Sequence, residues 1–555
     1  MVISNKKKDQ INVPVKFVSK ELPLGIDIGT TSIKVVRLTL VDNKPKISKL
    51  IIKDLPSEVA GNKEQYSNAV SSALLQIVEE NKFRGQSAFI AVSLDDCQIK
   101  NTSLSKIPRK DIDVALRTKM QQEGVNIGEI SYDYIILDQD RIDQVDKINL
   151  LVVEAKKEAI LERMSLLDSA DLNISAVGVE PLSLLDCLNY NASLKDDEVV
   201  ILIDFGGSLT QINIIVNKQL CFSRKLNINS SSLTNSISKY CKVSIQEADQ
   251  LKIKYDPNIY IDFNILKSYV NDPNKPLKKG AVDIDHINVR DAIYFSLESL
   301  VSSIKQTFKY FSYELTNSKI QFFDRIILSC GSTDLKIISP YLKESLGVSV
   351  DAVKPLGTLE FLAGVHLNIY NLDRDSFRFG VAMGLVLSDL YDSPEKRLSL
   401  IPQKVERAGF FGIFKRLFLR NRISNQNYDS KDTINNVVKE VKKVDTKVGY
   451  SFGNWNPARE MESARALSEQ LGISFIDLSS YKIDTSVVKL VPCDVAKKLQ
   501  SLPIFKTGSS LIVAMANPLD VIAIDELTKI SGFSIDPVFA TASGIKDAIS
   551  RYYGE

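Results

Sequence analysis

The sequence predicts a mixed α/β fold followed by a smaller α+β domain. Short runs of β-branched residues alternate with helical patterns over residues 21–392, which is typical of sheets covered by helices. Residues 393–454 interrupt this alternation, and residues 455–555 resume it with two helical patterns and short strands. Two of the apolar runs end in an aspartate followed by a glycine-containing turn, and these turns are the first candidates for a site.

Composition excludes several classes of function. The net charge of +2 argues against a nucleic-acid binder that relies on neutralising phosphates. Two histidines argue against a multi-histidine metal site, and six widely spaced cysteines without a CxxC pair indicate free thiols in a reducing compartment. No run approaches the roughly 18 apolar residues that span a bilayer, and the start lacks the apolar core of a signal peptide. We therefore expect a cytoplasmic protein.

Four segments are expected along the chain. Residues 1–20 are lysine-rich and read as a flexible tail, whereas residues 21–392 form the main domain. Within that domain, a three-four spacing of apolar residues predicts a long helix at about 288–316. Residues 393–454 are rich in Asn, Ser, Lys and Asp and are typical of a linker. Residues 455–555 form the C-terminal domain.

The first aspartate-glycine turn has the chemistry of a phosphate-binding loop. Gly29 lets the backbone approach a phosphate closely. Thr30 and Thr31 offer hydroxyls and successive N–H groups, which form a concavity for anions. Asp27 lies at the mouth of the turn, and Lys34 follows it at a distance from which an ammonium group reaches phosphate oxygens.

The second turn repeats this chemistry far along the chain. Asp204 ends an apolar strand, Gly206, Gly207 and Ser208 form the turn, and Thr210 begins the returning strand. A single turn of this kind is common as plain turn chemistry. Two of them, each after a buried strand, are more specific, because hairpins from two similar subdomains can hold a triphosphate between them.

The two motifs resemble those of the actin, Hsp70 and sugar-kinase superfamily. GIDIGTTSIKVV resembles its first phosphate motif and LIDFGGSLTQI its second, while Glu180-Pro181 opens a segment similar to its first connecting helix. RIILSCGST stands where the adenosine motif is expected, with Gly331 as its only matching glycine, and GVAMGL resembles the second connecting helix.

This resemblance implies an actin-like (ribonuclease H-like) two-lobed ATPase fold that binds ATP and Mg²⁺. The residues implied to contact the nucleotide are Asp27, Gly29, Thr30, Thr31, Lys34, Asp204, Gly206, Gly207, Ser208, Thr210 and Gly331. Asp27 and Asp204 would hold Mg²⁺ through water. Glu180 would orient water near the γ-phosphate, although it can equally be a carboxylate placed at a helix start by the helix dipole.

Within the superfamily, the chain resembles PilM, the actin-like family of type IV pilus assembly. Residues 86–175 follow the order of that family's inserted small subdomain. The resemblance implies a cytoplasmic adaptor, peripheral at the inner membrane, that binds the N-terminal peptide of a PilN-like platform protein. It implies at most a slow ATPase, and the sequence contains no GxxxxGK[ST] loop of a motor ATPase.

Two segments of the linker suggest contacts of their own. Residues 396–404, KRLSLIPQK, resemble the short aliphatic-proline peptide of PilN, and we hypothesise that they occupy the peptide groove; the alternative is an ordinary linker with a helix-stopping proline. Residues 409–422 place a phenylalanine-rich face opposite a basic one, as in helices at a membrane surface. A helix packed against a domain or a partner has the same pattern.

The C-terminal domain resembles the N-terminal module of the GspE/PilB secretion and pilus ATPases. LGISFIDL, the ANPLD turn and the closing IKDAISRYY carry this resemblance. It implies docking to the assembly ATPase or to a platform protein. Because the tandem RLG-type motif of the cyclic di-GMP-binding modules is missing from the sequence, binding of that ligand is not expected.

Two other functions share the predicted fold. A small-molecule kinase of the superfamily needs a carboxylate base and a substrate pocket, for which the sequence offers no distinct candidate beyond Glu180 and Asp204. An FtsA-like cytoskeletal protein would use the phenylalanine-rich segment as its membrane anchor. FtsA carries that anchor at its C-terminus, whereas here a predicted domain follows the segment.

Overall fold

The computed structural model assigns the chain to two compact units. It describes residues 19–56, 59, 62–137, 147–191, 193–256, 284–316, 320–363, 371–391, 399–401, 461, 464–465, 468, 473–479, 481–508 and 510–554. The first unit comprises residues 1–301 and 322–441, and the second comprises residues 302–321 and 442–555. Residues 1–18 of the predicted tail and the basic segment 409–422 lie outside the described residues, whereas Ser19 and Lys20, also predicted as tail, belong to a short strand paired with the first sheet. No helix within the described part of the chain is long and apolar enough to cross a membrane.

The strands of the first unit form three sheets. In chain order they are β1 (Ser19–Glu21), β2 (Leu24–Ile28), β3 (Ser32–Val41), β4 (Lys44–Asp54), β5 (Ser87–Val92), β6 (Cys97–Ser105), β7 (Ile130–Ile136), β8 (Lys147–Lys156), β9 (Asn173–Val179), β10 (Val199–Phe205), β11 (Thr210–Val216), β12 (Gln219–Leu226), β13 (Arg325–Cys330), β14 (Ser349–Ala352) and β15 (Glu360–Phe361).

Helices connect and cover these sheets. They are α1 (Lys63–Asn81), α2 (Ile112–Gln122), α3 (Lys157–Ser169), α4 (Glu180–Tyr190), α5 (Ser230–Cys241), α6 (Ile245–Lys254), α7 (Ile284–Tyr310), α8 (Ser332–Leu346), α9 (Leu372–Asp375) and α10 (Gly380–Tyr391). Helix α7 confirms the long helix predicted at about 288–316, and a π-helical turn at Phe311–Leu315 follows it. Its C-terminal part, from Ser302, is assigned to the second unit.

The two larger sheets repeat one topology. The first has the order β15-β4-β3-β2-β5-β9, with β1 added to β3, and the second has the order β12-β11-β10-β13-β14. In the first, β2 pairs antiparallel with β3 and parallel with β5. In the second, β10 pairs antiparallel with β11 and parallel with β13. Each sheet therefore has a central strand that enters a hairpin turn, and these turns are the two aspartate-glycine motifs.

A third sheet forms the inserted subdomain. Its order is β6-β8-β7, all antiparallel, and helix α2 covers it. The buried residues around Ile112, Leu116 and Val152 form a cluster separate from the main core. Strand β7 lies at one edge of this sheet, and β9 lies at one edge of the first sheet.

Two helices cross beside the first sheet at very short distance. A Cβ atom on Gly384 of α10 would lie 1.7 Å from the carbonyl oxygen of Ser183 in α4. A Cβ atom on Gly25 of β2 would lie 2.0 Å from the carbonyl oxygen of Ala382 in α10. Glycine is therefore required at both positions, and α10 packs directly against both α4 and the strand that leads to the first turn.

The second unit has a small sheet and its own core. Helices α11 (Thr485–Val488) and α12 (Cys493–Lys498) precede strands β16 (Ser501–Thr507) and β17 (Ser510–Met515), and α13 (Val521–Ser531), β18 (Ser534–Phe539) and α14 (Ala542–Tyr553) follow. The sheet order is β16-β17-β18. Leu502, Val513 and Leu527 are fully buried in a core formed by residues of this region alone. This is the small α+β architecture that the sequence predicts.

Candidate functional site

Both hairpin turns are closed in the same way. In the first, the N–H group of Gly29 donates to the carbonyl of Ser32 at 3.0 Å, and in the second that of Gly206 donates to the carbonyl of Leu209 at 3.0 Å. The second turn is also held by the start of helix α5. There the N–H groups of Ser230 and Ser231 donate at 3.0 Å to the carbonyls of Gly206 and Gly207. The turns are thus fixed by backbone contacts.

Side chains at the start of α5 stabilise that contact. Asn229 caps the helix, because its side chain accepts from the N–H group of Ser232 while the Ser232 hydroxyl accepts from the N–H group of Asn229. The Asn229 amide also donates to the carbonyl of Ser208 at 2.7 Å. One residue therefore starts the helix and binds the second turn.

The two turns face each other across one cavity. A Cβ atom on Gly207 would lie 3.1 Å from Thr31 Cγ2 and 3.2 Å from Thr30 Oγ1. The cavity has a volume of about 860 Å³ and is lined by both turns, by the start of α4 and by α5 and α6. Its size is within the range of roughly 300–1,000 Å³ that small-molecule sites occupy.

Asp27 and Asp204 occupy equivalent positions in the two hairpins. Asp27 pairs across its hairpin with Lys34, whose ammonium lies 3.0 Å from the carboxylate. Asp204 pairs across its own hairpin with Gln211. Burial raises the pKa of Asp204 to about 6, and a hydrogen bond with Ser329 partly opposes that rise.

Glu180 is the acid at the base of the cavity. It begins α4, with Pro181 in the first turn of the helix, and its carboxylate accepts a hydrogen bond from the side-chain amide of Gln211. Burial, reinforced by the charges of Asp27 and Asp204, raises the pKa of Glu180 to about 8. The surroundings of Glu180 therefore favour its protonated form at neutral pH.

Cationic and phenolic groups from other elements also line the cavity. Arg163 of α3 donates to the carbonyl of Ile28 at 3.4 Å. Arg378 donates to the Ser32 hydroxyl at 2.8 Å. Tyr66 of α1 donates its hydroxyl to the carbonyl of Gly29 at 3.1 Å and so fixes the first turn from outside the sheet.

Eleven of the twelve predicted site residues line this cavity. They are Asp27, Gly29, Thr30, Thr31, Lys34, Glu180, Asp204, Gly206, Gly207, Ser208 and Gly331. Thr210 is fully buried in β11 and does not line it. Successive side chains of a strand point to opposite faces, so Gln211 faces the cavity and Thr210 faces away. Gly331 lies immediately before helix α8.

Several residues that line the cavity are not predicted from the sequence motifs. Gln211 had a detectable signal, because it follows Asp204 by seven residues, as Lys34 follows Asp27. Tyr66, Arg163 and Arg378 had none, because each reaches the cavity through tertiary packing of a different element.

The residues present fit an anionic phosphate chain. The two turns offer backbone and hydroxyl donors on opposite sides, and Lys34 supplies a positive charge beside the first turn. Within the described part of the chain, the buried oxygen of the Gln211 amide has no hydrogen-bond partner. It is therefore available to a donor such as water entering the cavity.

The sheets, the inserted subdomain and the paired hairpins define a two-lobed actin-like protein. One solved structure with this fold is a PilM-PilN type IV pilus biogenesis complex; the likeness covers 67% of this chain and 99% of that one, at 18% identity and a TM-score of 0.52. The profile described as type IV pilus assembly protein PilM matches residues 25–279. The first unit thus has an actin-like fold, and over residues 25–279 it is similar to the type IV pilus assembly protein PilM.

The C-terminal residues match a different component of pilus machinery. The MshEN domain profile covers residues 471–555. The type IV pilus assembly ATPase PilB of Myxococcus xanthus is 33% identical over 130 residues, which are 23% of this chain and 23% of that protein. The chain therefore spans about a quarter of that relative, and its region similar to PilM is followed by a region similar to the MshEN domain.

A cell-division protein also matches part of the first unit. The FtsA profile covers residues 201–365, and FtsA of Enterococcus faecalis is 23% identical over 258 residues, or 42% of this chain and 57% of that protein. The PilM profile extends over both the first hairpin and the inserted subdomain. The PilM match is therefore the stronger of the two.

Proposed function

We propose that this chain is an adaptor of the type IV pilus, or of a type II secretion system, that couples the inner-membrane platform to the assembly motor and binds ATP with Mg²⁺ in its cleft. The observation that carries the nucleotide proposal is the facing pair of turns, with Gly207 opposite Thr30 and Thr31. The presence of a PilM-like and an MshEN domain on one chain supports the adaptor role.

The cavity residues have distinct tasks in this proposal. The backbone N–H groups and hydroxyls of the two turns bind phosphate oxygens, and Lys34 compensates their charge. Asp27 and Asp204 hold the water shell of Mg²⁺, which when bound neutralises the phosphates. Glu180 and Gln211 orient water at the base of the cavity. Any hydrolysis is slow, and the main effect of the nucleotide is to stabilise a closed cleft through contacts to both lobes.

Partner contacts complete the proposal. The first unit binds a PilN-like N-terminal peptide, and the C-terminal domain binds the assembly ATPase or a platform protein. Residues 409–422 contact the cytoplasmic surface of the inner membrane. The solved structure that shares this fold is a complex of PilM with PilN, which supports a PilN-like partner for this chain.

Equilibrium binding of ATP to the full chain tests the cleft. With Mg²⁺ present, Asp204→Asn is expected to weaken ATP binding at least tenfold, because the carboxylate that holds the metal's water is lost. Asp197→Asn is the matched control, since Asp197 lies in an exposed turn and has a positive φ of 58° that asparagine tolerates. Equal loss in both variants, or undetectable ATP binding by the unmodified chain, contradicts the nucleotide proposal.

Capture of partners tests the adaptor role. The purified full chain, incubated with detergent-solubilised membranes, is expected to retain pilus or secretion platform proteins identified by mass spectrometry. Retention of division proteins instead would favour the FtsA-like alternative. The FtsA profile match over residues 201–365 is the observation behind that alternative. Nucleotide-dependent filaments would favour it as well.

A further inference from the structure

A short segment of the chain lies between two sheet edges of the first unit. It comprises Ser399, Leu400 and Ile401. The N–H group of Leu400 donates to the carbonyl of Val177 in β9 at 2.9 Å, and its carbonyl accepts from the Ser131 hydroxyl in β7 at 2.7 Å. The segment therefore bridges the edge of the first sheet and the edge of the inserted subdomain.

Side chains fix the segment in the same place. Leu400 is fully buried and belongs to the main hydrophobic core, against which Ile401 also packs. The N–H group of Ser399 donates to the Asp133 carboxylate of β7 at 3.0 Å. We call the space that holds these residues the edge groove, defined by β7, β9 and the pocket of Leu400.

The edge groove has the properties of a site for an extended peptide. The exposed edge of a sheet offers unpaired backbone groups that a peptide in extended conformation can use, and a pocket for one side chain supplies specificity. Here a backbone carbonyl of β9 accepts a hydrogen bond from the segment, and side chains of β7 both donate to its backbone and accept from it. The side chain of Leu400 fills the pocket. Removal of the segment would leave the Val177 carbonyl and the Ser131 hydroxyl without these partners.

We propose that the edge groove is a peptide-binding site that the chain blocks with its own residues 399–401, so that a partner's extended aliphatic peptide binds only by displacing them. This inference rests on the peptide-docking part of the proposed function and adds a built-in competitor to it. Because the segment follows α10 after only seven undescribed residues, its effective concentration at the groove is in the range of mM. A free peptide of similar affinity is therefore largely excluded.

A fluorescent peptide with the sequence of residues 396–404 tests the inference on the full chain. The unmodified chain is expected to bind it weakly, and Leu400→Ala is expected to bind it at least tenfold more tightly, because the resident segment loses its buried side chain. The control probe carries alanine at the position of Leu400 and is expected to bind neither chain. Leu161→Ala, the same substitution at an exposed leucine of α3, is expected to behave as the unmodified chain.

A second variant keeps the test valid if Leu400→Ala lowers stability. Adding Ser131→Ala to Leu400→Ala removes the donor to the peptide carbonyl, and we expect it to weaken probe binding severalfold while the unfolding transition of the first unit stays at the temperature of the single variant. Titration at two protein concentrations distinguishes blocking within one chain, which is independent of concentration, from blocking by a second copy, which would overturn the proposal.

Failure of this inference and failure of the proposed function are separable. Equal probe affinity for the unmodified chain and for Leu400→Ala, with both folded, overturns the blocking segment even if a PilN-like peptide binds. If Leu400→Ala binds the 396–404 peptide more tightly than the unmodified chain does, but no platform protein is captured, the blocking role of residues 399–401 is supported and the adaptor role is contradicted.

Discussion

Protonation of Glu180 makes the stability of the first unit depend on pH. Its carboxyl is buried beside Asp27 and Asp204, and its pKa is raised from near 4.5 to about 8. Between these two values, the folded chain keeps the proton that the unfolded chain releases. Stability of the first unit therefore falls as pH rises through this window. Asp204, with a pKa raised from near 3.8 to about 6, acts in the same direction over a lower window.

Glu180→Gln is expected to remove most of this pH dependence above pH 6. The unmodified chain should lose about 3 kcal/mol of unfolding free energy between pH 5 and pH 8 relative to the variant, since one pKa unit corresponds to about 1.4 kcal/mol. Denaturant titrations of the nucleotide-free chain at several pH values measure this. Asp204→Asn should remove the pH dependence below about pH 6 and also reduce the part above it, because the charge of Asp204 helps to raise the pKa of Glu180. Parallel pH profiles for the unmodified chain and Glu180→Gln would contradict the assignment.

The sequence located most cavity residues, because turn chemistry is local. The aspartate, the glycines and the hydroxyls of each hairpin are adjacent in sequence, so their spacing alone predicts that they share a turn. Because Thr210 continues the second motif, the sequence also predicts it as a site residue. The alternation of side chains along the strand instead turns its side chain away from the cavity. Arg163 and Arg378 come from distant elements, and only the folded chain brings them to the turns.

The two connecting helices, α4 and α10, pack through contacts that the sequence alone does not predict. The sequence predicted both helices, and it also predicted the order of strands and helices in the inserted subdomain. It did not show that β8 lies between β6 and β7, or that the edges of β7 and β9 approach each other. Helix α10 meets α4 through Gly384 at backbone distance, which depends on the relative position of two segments separated by nearly 200 residues.

Gly384→Ala is expected to force α4 and α10 apart. The added Cβ atom would lie 1.7 Å from the Ser183 carbonyl, and overpacking of this kind typically costs about 1–3 kcal/mol. The unfolding temperature of the first unit should fall, and ATP affinity should fall with it, because α4 carries Glu180. Gly178→Ala is the matched control, since its nearest contact would be an ordinary 3.7 Å from Leu385. An unchanged unfolding temperature and an unchanged ATP affinity in Gly384→Ala would contradict this prediction, because α4 and α10 could then separate without cost.

Within the part of the chain that the structure describes, each of the two units has a hydrophobic core of its own. One surrounds the first sheet and the connecting helices, and the other is built from residues of the C-terminal domain. The polar stretch at 393–454 predicts a boundary between domains, whereas nothing in the sequence predicts the assignment of residues 302–321 to the second unit. That assignment depends on contacts in space, which no local composition reveals.

Leu502→Ala is expected to destabilise the second unit alone. Leu502 is fully buried in the C-terminal core, and truncation of a buried leucine typically costs about 2–5 kcal/mol. Calorimetry of the full chain should show one transition shifted to lower temperature and another unchanged, with ATP binding preserved. Leu161→Ala, at a leucine that is 37% exposed, is the control and should shift neither transition substantially. A common shift of both transitions would show that the units unfold together.

The burial of Leu400 also ties occupation of the edge groove to the packing of the main core. Its side chain is fully buried in that core, and its N–H group donates to the carbonyl of Val177. A peptide that replaces this segment must therefore supply an aliphatic side chain of its own, because the alternative is a cavity beside β9. The unfolding temperature of the first unit would thus report which side chain the incoming peptide brings.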